Sequence, residues 1–501
     1  MEMKINVQSV LMGVASLFAA GCAGSRPSWL TVGPDFSRPD IAVDSAAVKP
    51  PEAGWPVTTN YTETGEFKPA SPEQDPRTVL KADEIRRWWR QFDDELLSGL
   101  VENAVSNNRS FLMAQQRLEQ ARWHLAGAWS DVMPQITGVG GATRSQGGRN
   151  GTSGKKYHRD VFKAGFDATW EIDLFGGVSR EIEESDARMA KANCDLADAW
   201  VSLSSEIGSQ YVELRTIQER LEVARTNLKL QTETYEILKS RLDSGIGDEL
   251  AVNQAKYNVE QTRASIPKLI AQENSLMDSL AILAGTMPGA LHSKLRVRPD
   301  RDWLVEPKRL PEIPLDVMRS RPDVRAAEFS LAAQVAHVGV AESRLFPKLY
   351  LNGSLGLESV RAHKFLERDS LYGSIGPSIS WPIFQGGNLY ANLKAEEAAM
   401  DEAAYSYEYT IQTAFCEVRS AYSAYTQEYH RYESLKGAVK AAKDAENISQ
   451  DLYKNGLADF NNVLDAQRSL LTLEEALTIS RGQITQDLIS LYKALGGGIS
   501  M

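Results

Sequence analysis

The sequence predicts an α+β fold in which short strand hairpins alternate with very long helices. Residues 162–174 place apolar side chains at every even position and mostly polar ones between them, a period typical of a strand with one buried face. The next stretch has an apolar residue at every seventh position from Ile207 to Leu242, which is typical of a coiled coil. Matching motifs at a near-constant offset then indicate that the plan occurs twice.

An export signal is predicted at the N-terminus. Residues 1–21 have a polar start, an apolar core from Val10 to Ala20 and small residues before Cys22. The core is shorter than the ~20 residues that a spanning helix needs. The sequence LFAAGC resembles a bacterial lipobox, which implies a diacylated Cys22; the alternative is a chance cysteine beside an ordinary cleavage site. Two acyl chains give stable membrane anchoring, and apart from this covalent lipid we expect no cofactor.

Composition and motifs argue against a nucleic-acid-binding protein and against an enzyme. The net charge of -11 does not favour binding of phosphate groups. The six His residues show no metal-ligand spacing, and no Ser or Cys lies in a nucleophile motif. The stretch GTSGKK lacks the first Gly and the final hydroxyl residue of a phosphate-binding loop. We therefore expect no catalysis, no metal site and no nucleic-acid partner.

The first half of the chain predicts a helix, a hairpin and two further helices. Residues 22–80 are rich in Pro, Gly, Ser and Thr and predict an extended, lipid-anchored segment. The first repeat follows over 81–285, with helical periodicity as far as Asp131 and a stop at Pro134. We predict strands at about 134–142 and 162–174, a long helix from Val178 to Asp243 and a returning helix from Glu249 to Ala284.

A proline-rich linker over 286–313 leads into a second repeat over 314–496, with strands at about 347–357 and 371–383. The order of corresponding residues implies an internal two-fold duplication. These pairs are Pro134 with Pro347, Trp170 with Trp381, Gly245 with Gly456, and Gly285 with Gly496. In each half, the shorter helices together match the long one, which fits a tube of helices.

A hairpin with one apolar face must bury that face. One alternative is a small sheet packed against the helices of a soluble protein. Export, a lipid anchor, strand lengths near the ~9–11 residues that cross a bilayer, and Trp170 and Trp381 near strand ends favour a membrane. Four strands cannot close a barrel and lipid does not tolerate open edges, so several chains must contribute. Eight strands would give a filled interior, whereas a trimer with twelve strands would enclose a pore.

Motifs in a fixed order resemble those of a known family. They are the lipobox ending at Cys22, VGPDFSRP after it, WWRQFDDELL from Trp88, WEIDLFGG from Trp170, SRPDVRAAE from Ser320 and VLDAQRSLL from Val463. Together they resemble the TolC-like outer membrane factor family, specifically its lipoprotein branch typified by OprM and the NodT-like efflux lipoproteins. The resemblance covers nearly the whole chain after Cys22.

This resemblance implies a homotrimer whose four strands per protomer build a twelve-stranded β-barrel in the outer membrane, continuous with a long α-helical coiled-coil tunnel. It implies a passive channel of a tripartite efflux system. Its partners would be a periplasmic adaptor and an inner-membrane transporter of the resistance-nodulation-division (RND) type. Ala23 after the cysteine favours the outer membrane. The alternatives are a duct for polypeptide export and a periplasmic coiled-coil scaffold or adaptor lipoprotein.

The resemblance also implies a periplasmic gate near the helix turns. It places Asp465 where the family has a pore-facing acid, and Asn462 where some members have a second one, which weakens an acidic ring. The alternative role for Asp465 is to stabilise the dipole of its helix. Helix turns and adaptor contacts are expected at Gly245, Asp248, Glu249, Gly456 and Asp459, with capping as the main role of the acids.

A junction between barrel and tunnel is expected where each hairpin runs into a long helix. The second copy is one residue shorter, so the two junctions should bend differently. The junction residues are Trp170, Gly176, Gly177, Trp381, Gly386 and Gly387.

Two further features are expected to be structural. Arg321 and Asp323 flank a proline at the start of a helix, where proline is favoured. Cys194 and Cys416 lie roughly 18 Å apart along equivalent helices, too far for a disulfide. We expect both cysteines to be packing residues.

Overall fold

The computed structural model describes five stretches of the chain, residues 31–39, 87–148, 157–298, 318–455 and 457–497. Several predictions fall on other residues. The signal peptide, Cys22, Gly456, most of the segment 22–80 and the later part of the linker lie outside the described residues.

The first half of the described chain begins with a short 3-10 helix at Trp88–Phe92. The elements that follow are Glu95–Asn107 (α1), Arg109–Ser130 (α2), Gln135–Gly147 (β1), Tyr157–Ile172 (β2), Gly177–Asp243 (α3), Glu249–Leu283 (α4) and one turn at His292–Leu295 (α5). Each of α3 and α4 differs from its predicted bounds by one residue at one end.

The second half has the same order of elements around its hairpin. Its elements are Pro322–Ser343 (α6), Lys348–Ser359 (β3), Leu371–Ser380 (β4), Asn388–Lys454 (α7) and Phe460–Ala494 (α8), with 3-10 helices at Ala362–Lys364 and Arg368–Ser370. Helices α2 and α6 both have 22 residues, α3 and α7 both have 67, and α4 and α8 both have 35. The two halves therefore share helix lengths as well as element order.

The chain folds into two compact units, which cut across the predicted halves. Of the described residues, the first unit takes those within 31–39, Glu119–Lys191 and Glu328–Ser406, including the four described strands. The second unit takes those within 87–118, Ala192–Ala327 and 407–497. Each unit thus takes residues from both predicted repeats.

The first unit contains a four-stranded antiparallel sheet in the order β1-β2-β3-β4, with β1 and β4 at its edges. Phe166 lies opposite Leu355, and Leu349 lies opposite Ile379. Directly opposed residues share one face of a sheet, and side chains alternate between faces along each strand. The register therefore places most of the apolar residues of the four strands on one face.

The strands differ from their predicted bounds because backbone pairing continues where the side-chain alternation ends. β1 extends to Gly147 instead of 142, and β2 begins at Tyr157, opposite Gly147, instead of 162. Residues 158–160 are polar and lack the alternation, yet their backbone groups continue the ladder. β4 ends at Ser380 instead of 383, so Trp381 lies beyond the strand.

The core of the second unit is built around Trp88, whose side chain is fully buried. The Trp88 ring stacks on Tyr492 with 6.3 Å between ring centroids, and it lies directly against Gly208 of α3. Tyr211, one turn further along α3, donates its hydroxyl hydrogen to Asp94 at 2.9 Å. These contacts join the start of α1 to α3 and α8.

The predicted seam of α3 is buried along its first half. Ile207, Leu214 and Leu221 are buried, whereas the later seam positions are half-buried. The prediction for the cysteines is wrong for one of them, because Cys194 is buried and Cys416 is exposed. Successive residues of an α-helix are rotated by ~100° about its axis, and Cys416 lies outside the buried stripe of α7.

Two kinds of feature are absent from the described residues. None of their helices is both long and apolar enough to cross a membrane. None of their His, Cys, Asp and Glu side chains form a group of three or more that could hold a metal ion.

Replacement of Gly208 by alanine should destabilise the second unit. The added methyl group overlaps the Trp88 ring, and overpacking of a filled core costs about 1–3 kcal/mol. Gly437→Ala is the matched control, because Gly437 is exposed within a helix and an added methyl group would have no neighbouring atom within 4 Å. Its free energy of unfolding should rise by up to about 1 kcal/mol, because alanine has the higher helix propensity. Thermal unfolding in detergent measures both variants; equal shifts would contradict the assigned packing.

Candidate functional site

The apolar face of the sheet carries large side chains that remain exposed in the single chain. The exposed fraction is 62% for Phe166, 58% for Leu355 and 77% for Ile375. Ile136 on β1 and Ile379 on β4 continue the same face to both edges. A large exposed apolar surface of this kind marks contact with a membrane or a partner.

The opposite face of the sheet is polar and hydrogen-bonded across its strands. Asn352 donates its side-chain amide hydrogen to Ser378 Oγ at 2.7 Å. At the end of the sheet nearest the long helices, Lys348 Nζ donates to Glu171 Oε1 at 2.9 Å. The sheet is therefore amphipathic, with one face suited to water and one to an apolar environment.

Two tryptophans at corresponding positions of the two halves make the same hydrogen bond. Trp170 Nε1 donates to the carbonyl oxygen of Val132 at 2.9 Å, and Trp381 Nε1 donates to that of Leu345 at 3.1 Å. Each acceptor lies two residues before the proline that precedes its hairpin. Each indole thus ties the end of a hairpin to the helix end that leads into it.

The predicted junction glycines lie between a strand and a long helix, and the two pairs differ. Gly176 has a φ of 80° and Gly177 is not left-handed, whereas Gly386 and Gly387 have φ values of 61° and 83°. Positive φ favours glycine, so the second junction requires glycine at two successive positions. At the first junction, Asp173 accepts a backbone N–H of the first turn of α3 at 3.0 Å.

Arg180 of α3, which no sequence pattern indicated, binds the N-terminal segment 31–39. Its guanidinium donates to the carbonyl oxygens of Val32 and Gly33 at 3.1 Å each and to Asp35 at 2.7 Å. The Arg180 side chain is only 4% exposed. The motif VGPDFSRP indicated this segment, but nothing in the sequence pattern indicated its partner.

In the second unit, the predicted turn residues lie at the ends of helix pairs. Gly245 follows α3 with a φ of 75°. The carboxylates of Asp248 and Asp459 each accept a backbone N–H two residues further on, at 2.9 and 3.4 Å, and so cap α4 and α8. Glu249 is the first residue of α4 and is exposed.

The same turns carry exposed apolar residues that sequence analysis missed. Ile246, Leu250 and Leu457 lie at the two helix reversals and are largely exposed. Burial of an apolar side chain of this size contributes about 1.5–3 kcal/mol, so leaving three exposed is unfavourable in isolation. These turns therefore combine capping acids with apolar side chains available for contact.

Asp465 and Asn462 are both exposed on α8, three residues apart. The Asp465 side chain is 78% exposed, and its carboxylate lies 3.9 Å from Arg468 Nη1. Asp465 lies in the second turn of the helix, whereas the helix dipole acts mainly within the first. Stabilisation of the dipole is therefore a minor role for Asp465.

Arg468 links α8 to α4, a connection that sequence analysis did not find. Its Nε and Nη2 both donate to Asn258 Oδ1, at 3.0 and 2.9 Å, and its guanidinium lies 5.6 Å from the Tyr257 ring centroid. Asn258 is buried. Hydrogen bonds from a charged donor contribute about 1.5–3 kcal/mol, so this is a strong link between the two returning helices.

Arg321, in the motif SRPDVRAAE, joins three segments of the second unit. It donates to Asp323 at 2.7 Å, to Glu417 at 2.6 Å and to the carbonyl oxygen of Ala494 at 2.6 Å. Burial raises the pKa of the neighbouring Asp198, and the charge of Asp323 adds to the shift. These contacts agree with the structural role expected for the motif.

An amphipathic sheet joined to paired long helices defines a class of protein, an outer-membrane channel with a helical extension. The chain belongs to the outer membrane efflux protein family, whose sequence profile matches residues 100–286 and 314–497. The predicted family and the outer-membrane location are thereby confirmed. The chain is an outer membrane efflux channel protein.

Three similar proteins illustrate the match. Nodulation protein T of Rhizobium leguminosarum bv. viciae is 29% identical over 83% of this chain and 85% of that protein. The probable outer membrane lipoprotein SilC of Salmonella typhimurium is 27% identical over 97% of this chain and 98% of that protein. The solved structure of the outer-membrane channel OprN is 32% identical, with a TM-score of 0.81 over 93% of this chain and 99% of that one.

Trp170→Phe and Trp381→Phe should each weaken the attachment of a hairpin to its helix. Each substitution removes the indole N–H that donates to a backbone carbonyl oxygen, and loss of this hydrogen bond should lower the free energy of unfolding by about 1 kcal/mol. Thermal unfolding monitored by loss of strand signal in circular dichroism measures the effect. The two losses should be similar and additive; a loss in one variant alone would contradict equivalent roles.

Proposed function

We propose that three copies of this chain form a closed twelve-stranded barrel in the outer membrane, continuous with a helical tunnel. Compounds delivered by an inner-membrane RND-type transporter and a periplasmic adaptor would pass through it without a catalytic step. The observation that carries this proposal is the four-stranded sheet with one exposed apolar face and two edges.

The height of the apolar face matches a bilayer. Along β2 this face runs from Phe162 to Ile172, and the next outward pair beyond Phe162 is the ion pair Arg144–Asp160. The ten steps from Phe162 to Ile172, at ~3.4 Å each, span roughly 34 Å along the strand. A tilt of about 45° reduces this to ~24 Å of height, close to the ~25 Å apolar band of membrane barrels.

The two edges support closure by several copies. Backbone N–H and C=O groups at a strand edge must be paired in lipid, where each unsatisfied group costs several kcal/mol. A ring of four-stranded sheets pairs β1 of one copy with β4 of the next. Two copies would give eight strands and a filled interior, whereas three would give a lumen lined by the polar face.

The geometry of α8 supports a gate near the helix turns. Asp465 and Asn462 are exposed, and the link from Arg468 to Asn258 holds α8 against α4. With three copies, Asp465 would form a ring of carboxylates that binds cations or repels itself. We propose that release of the Arg468 link allows the returning helices to separate.

The helix turns support a docking surface for the adaptor. Capping by Asp248 and Asp459 fixes these turns, and the exposed Ile246, Leu250 and Leu457 supply an apolar contact. Apolar anchors with a polar rim are typical of protein interfaces. Gly245, Glu249 and Gly456 complete the set of residues that we assign to this surface.

The N-terminus is proposed to be processed and lipidated, and the two halves are proposed to derive from a duplication. We propose residues 1–21 as signal peptide, acylation at Cys22 and an anchored segment over 22–80; the similarity to SilC, named a lipoprotein, supports this. We also propose duplication of 81–285 as 314–496 across the linker 286–313. The equal helix lengths in the two halves support it.

The proposed function is tested by reconstitution of the full chain. Detergent-extracted protein should sediment as a trimer, fractionate with the outer membrane on a density gradient and give ion conductance in planar bilayers. A monomer without conductance would contradict the proposed channel.

Arg468→Ala should raise the conductance of the closed channel severalfold, because it removes the two hydrogen bonds that hold α8 to α4. Asp465→Ala should instead remove the sensitivity of the conductance to divalent cations. Arg263→Ala is the matched control, since Arg263 is exposed and its one ion pair with a described residue is with Glu260 on its own helix. If Arg468→Ala leaves the conductance unchanged and Asp465→Ala leaves its sensitivity to divalent cations unchanged, the assignment of the gate is wrong.

Cys22→Ser should abolish incorporation of radiolabelled palmitate, because the thiol is the acylated group. Cys416→Ser, which removes an exposed thiol elsewhere, is the control and should label normally. Persistent labelling of the Cys22→Ser variant would contradict lipidation at this position.

A further inference from the structure

The polar face of the sheet contains a cavity of about 260 Å³ where the strands meet the helices of the first unit. Its walls come from β1, β2 and β3, from the residues just before β1, from the end of α6 and from the first turns of α3. Four of its five strand residues lie on the central strands β2 and β3, and the fifth is Gln135 on the edge strand β1. Its volume is just below the ~300–1,000 Å³ typical of small-molecule sites.

The cavity is lined by charges of both signs, and they are not all neutralised. Glu171 and Lys348 pair with each other at 2.9 Å. Asp131 accepts a hydrogen bond from Gln135 at 3.2 Å. These two contacts account for Glu171, Lys348 and Asp131, and the other charged groups of the cavity are left to consider.

Two of these groups make no ion pair or hydrogen bond with any described residue. They are the carboxylate of Glu181, on α3, and the guanidinium of Arg344, which directly follows α6. Both side chains are exposed, and they do not form an ion pair with each other. An unpaired acid and an unpaired base that line one cavity without meeting are complementary to a ligand that carries both opposite charges.

We propose that this cavity is a transient binding site for small zwitterionic solutes, such as molecules bearing an ammonium and a carboxylate group. Glu181 would accept the ammonium hydrogens, and Arg344 would donate to the carboxylate. Tyr350 and Met133 supply apolar contact surface in the same cavity. This inference rests on the proposed function in one respect, since the polar face must line the lumen for solutes in transit to reach the site.

Phenylalanine, a zwitterion at neutral pH, is a suitable probe. Phenethylamine lacks its carboxylate and 3-phenylpropionate lacks its ammonium group. Binding of each to the purified full chain in detergent is measured by isothermal titration. Phenylalanine should bind about tenfold more tightly than either analogue, because each charged hydrogen bond contributes roughly tenfold or more.

Glu181→Gln and Arg344→Gln should each weaken binding of phenylalanine by about tenfold. Glu181→Gln should leave binding of 3-phenylpropionate unchanged, and Arg344→Gln should leave binding of phenethylamine unchanged. Both side chains are exposed and unpaired, so the variants should fold. Asp186→Asn, which removes an exposed acid of α3 outside the cavity, is the matched control and should bind normally. Equal affinity for all three probes, or unaltered affinity in both variants, would overturn the proposed site.

The planar-bilayer recordings separate this inference from the proposed function. A conducting channel that binds no phenylalanine would refute the site and leave the channel standing. Binding of phenylalanine with the expected selectivity by a protein that gives no conductance would refute the channel and leave the site standing.

Discussion

The structure depends on one constraint. The amphipathic four-stranded sheet must have its apolar face covered and its edge strands paired, and over the residues that the structure describes a single chain does neither. Its apolar face is exposed, and within the described parts of the chain no further strand lies beside the edge strands β1 and β4. Water would penalise the face and lipid would penalise the edges. Closure into a ring within a bilayer, as proposed above, would remove both costs, and such a ring would place every polar face toward one lumen.

The junctions attach the sheet to the helices. At each one, a tryptophan donates to the helix end that precedes the hairpin, and glycines allow the chain to turn into the next helix. Arg180 adds the N-terminal segment to the first junction through three hydrogen bonds. The hairpins are therefore fixed to the helices by specific polar contacts as well as by chain connectivity.

The sequence predicts those features that depend on periodicity and local chemistry. Side-chain periodicity places α3 and α4 to within one residue at each end. Asp248 and Asp459, expected as capping residues, are the N-caps of α4 and α8. The strand ends are less predictable, because pairing of Gly147 with Tyr157 depends on backbone groups and not on side-chain polarity. The links made by Arg180 and Arg468 could not be predicted, since they join residues far apart in the sequence. The exposure of Cys416 was missed because helical periodicity alone does not identify which stripe is covered.

Cross-linking of the sheet edges tests the central claim most directly. In a Cys416→Ser background, Ile136→Cys on β1 is combined in turn with Gly373→Cys, Ile375→Cys and Ile379→Cys on β4, all on the outward face. Oxidation in membranes should give a ladder that ends at the trimer in one of these registers. A monomer in every register, or a ladder that extends beyond the trimer, would contradict closure of the sheet by three copies.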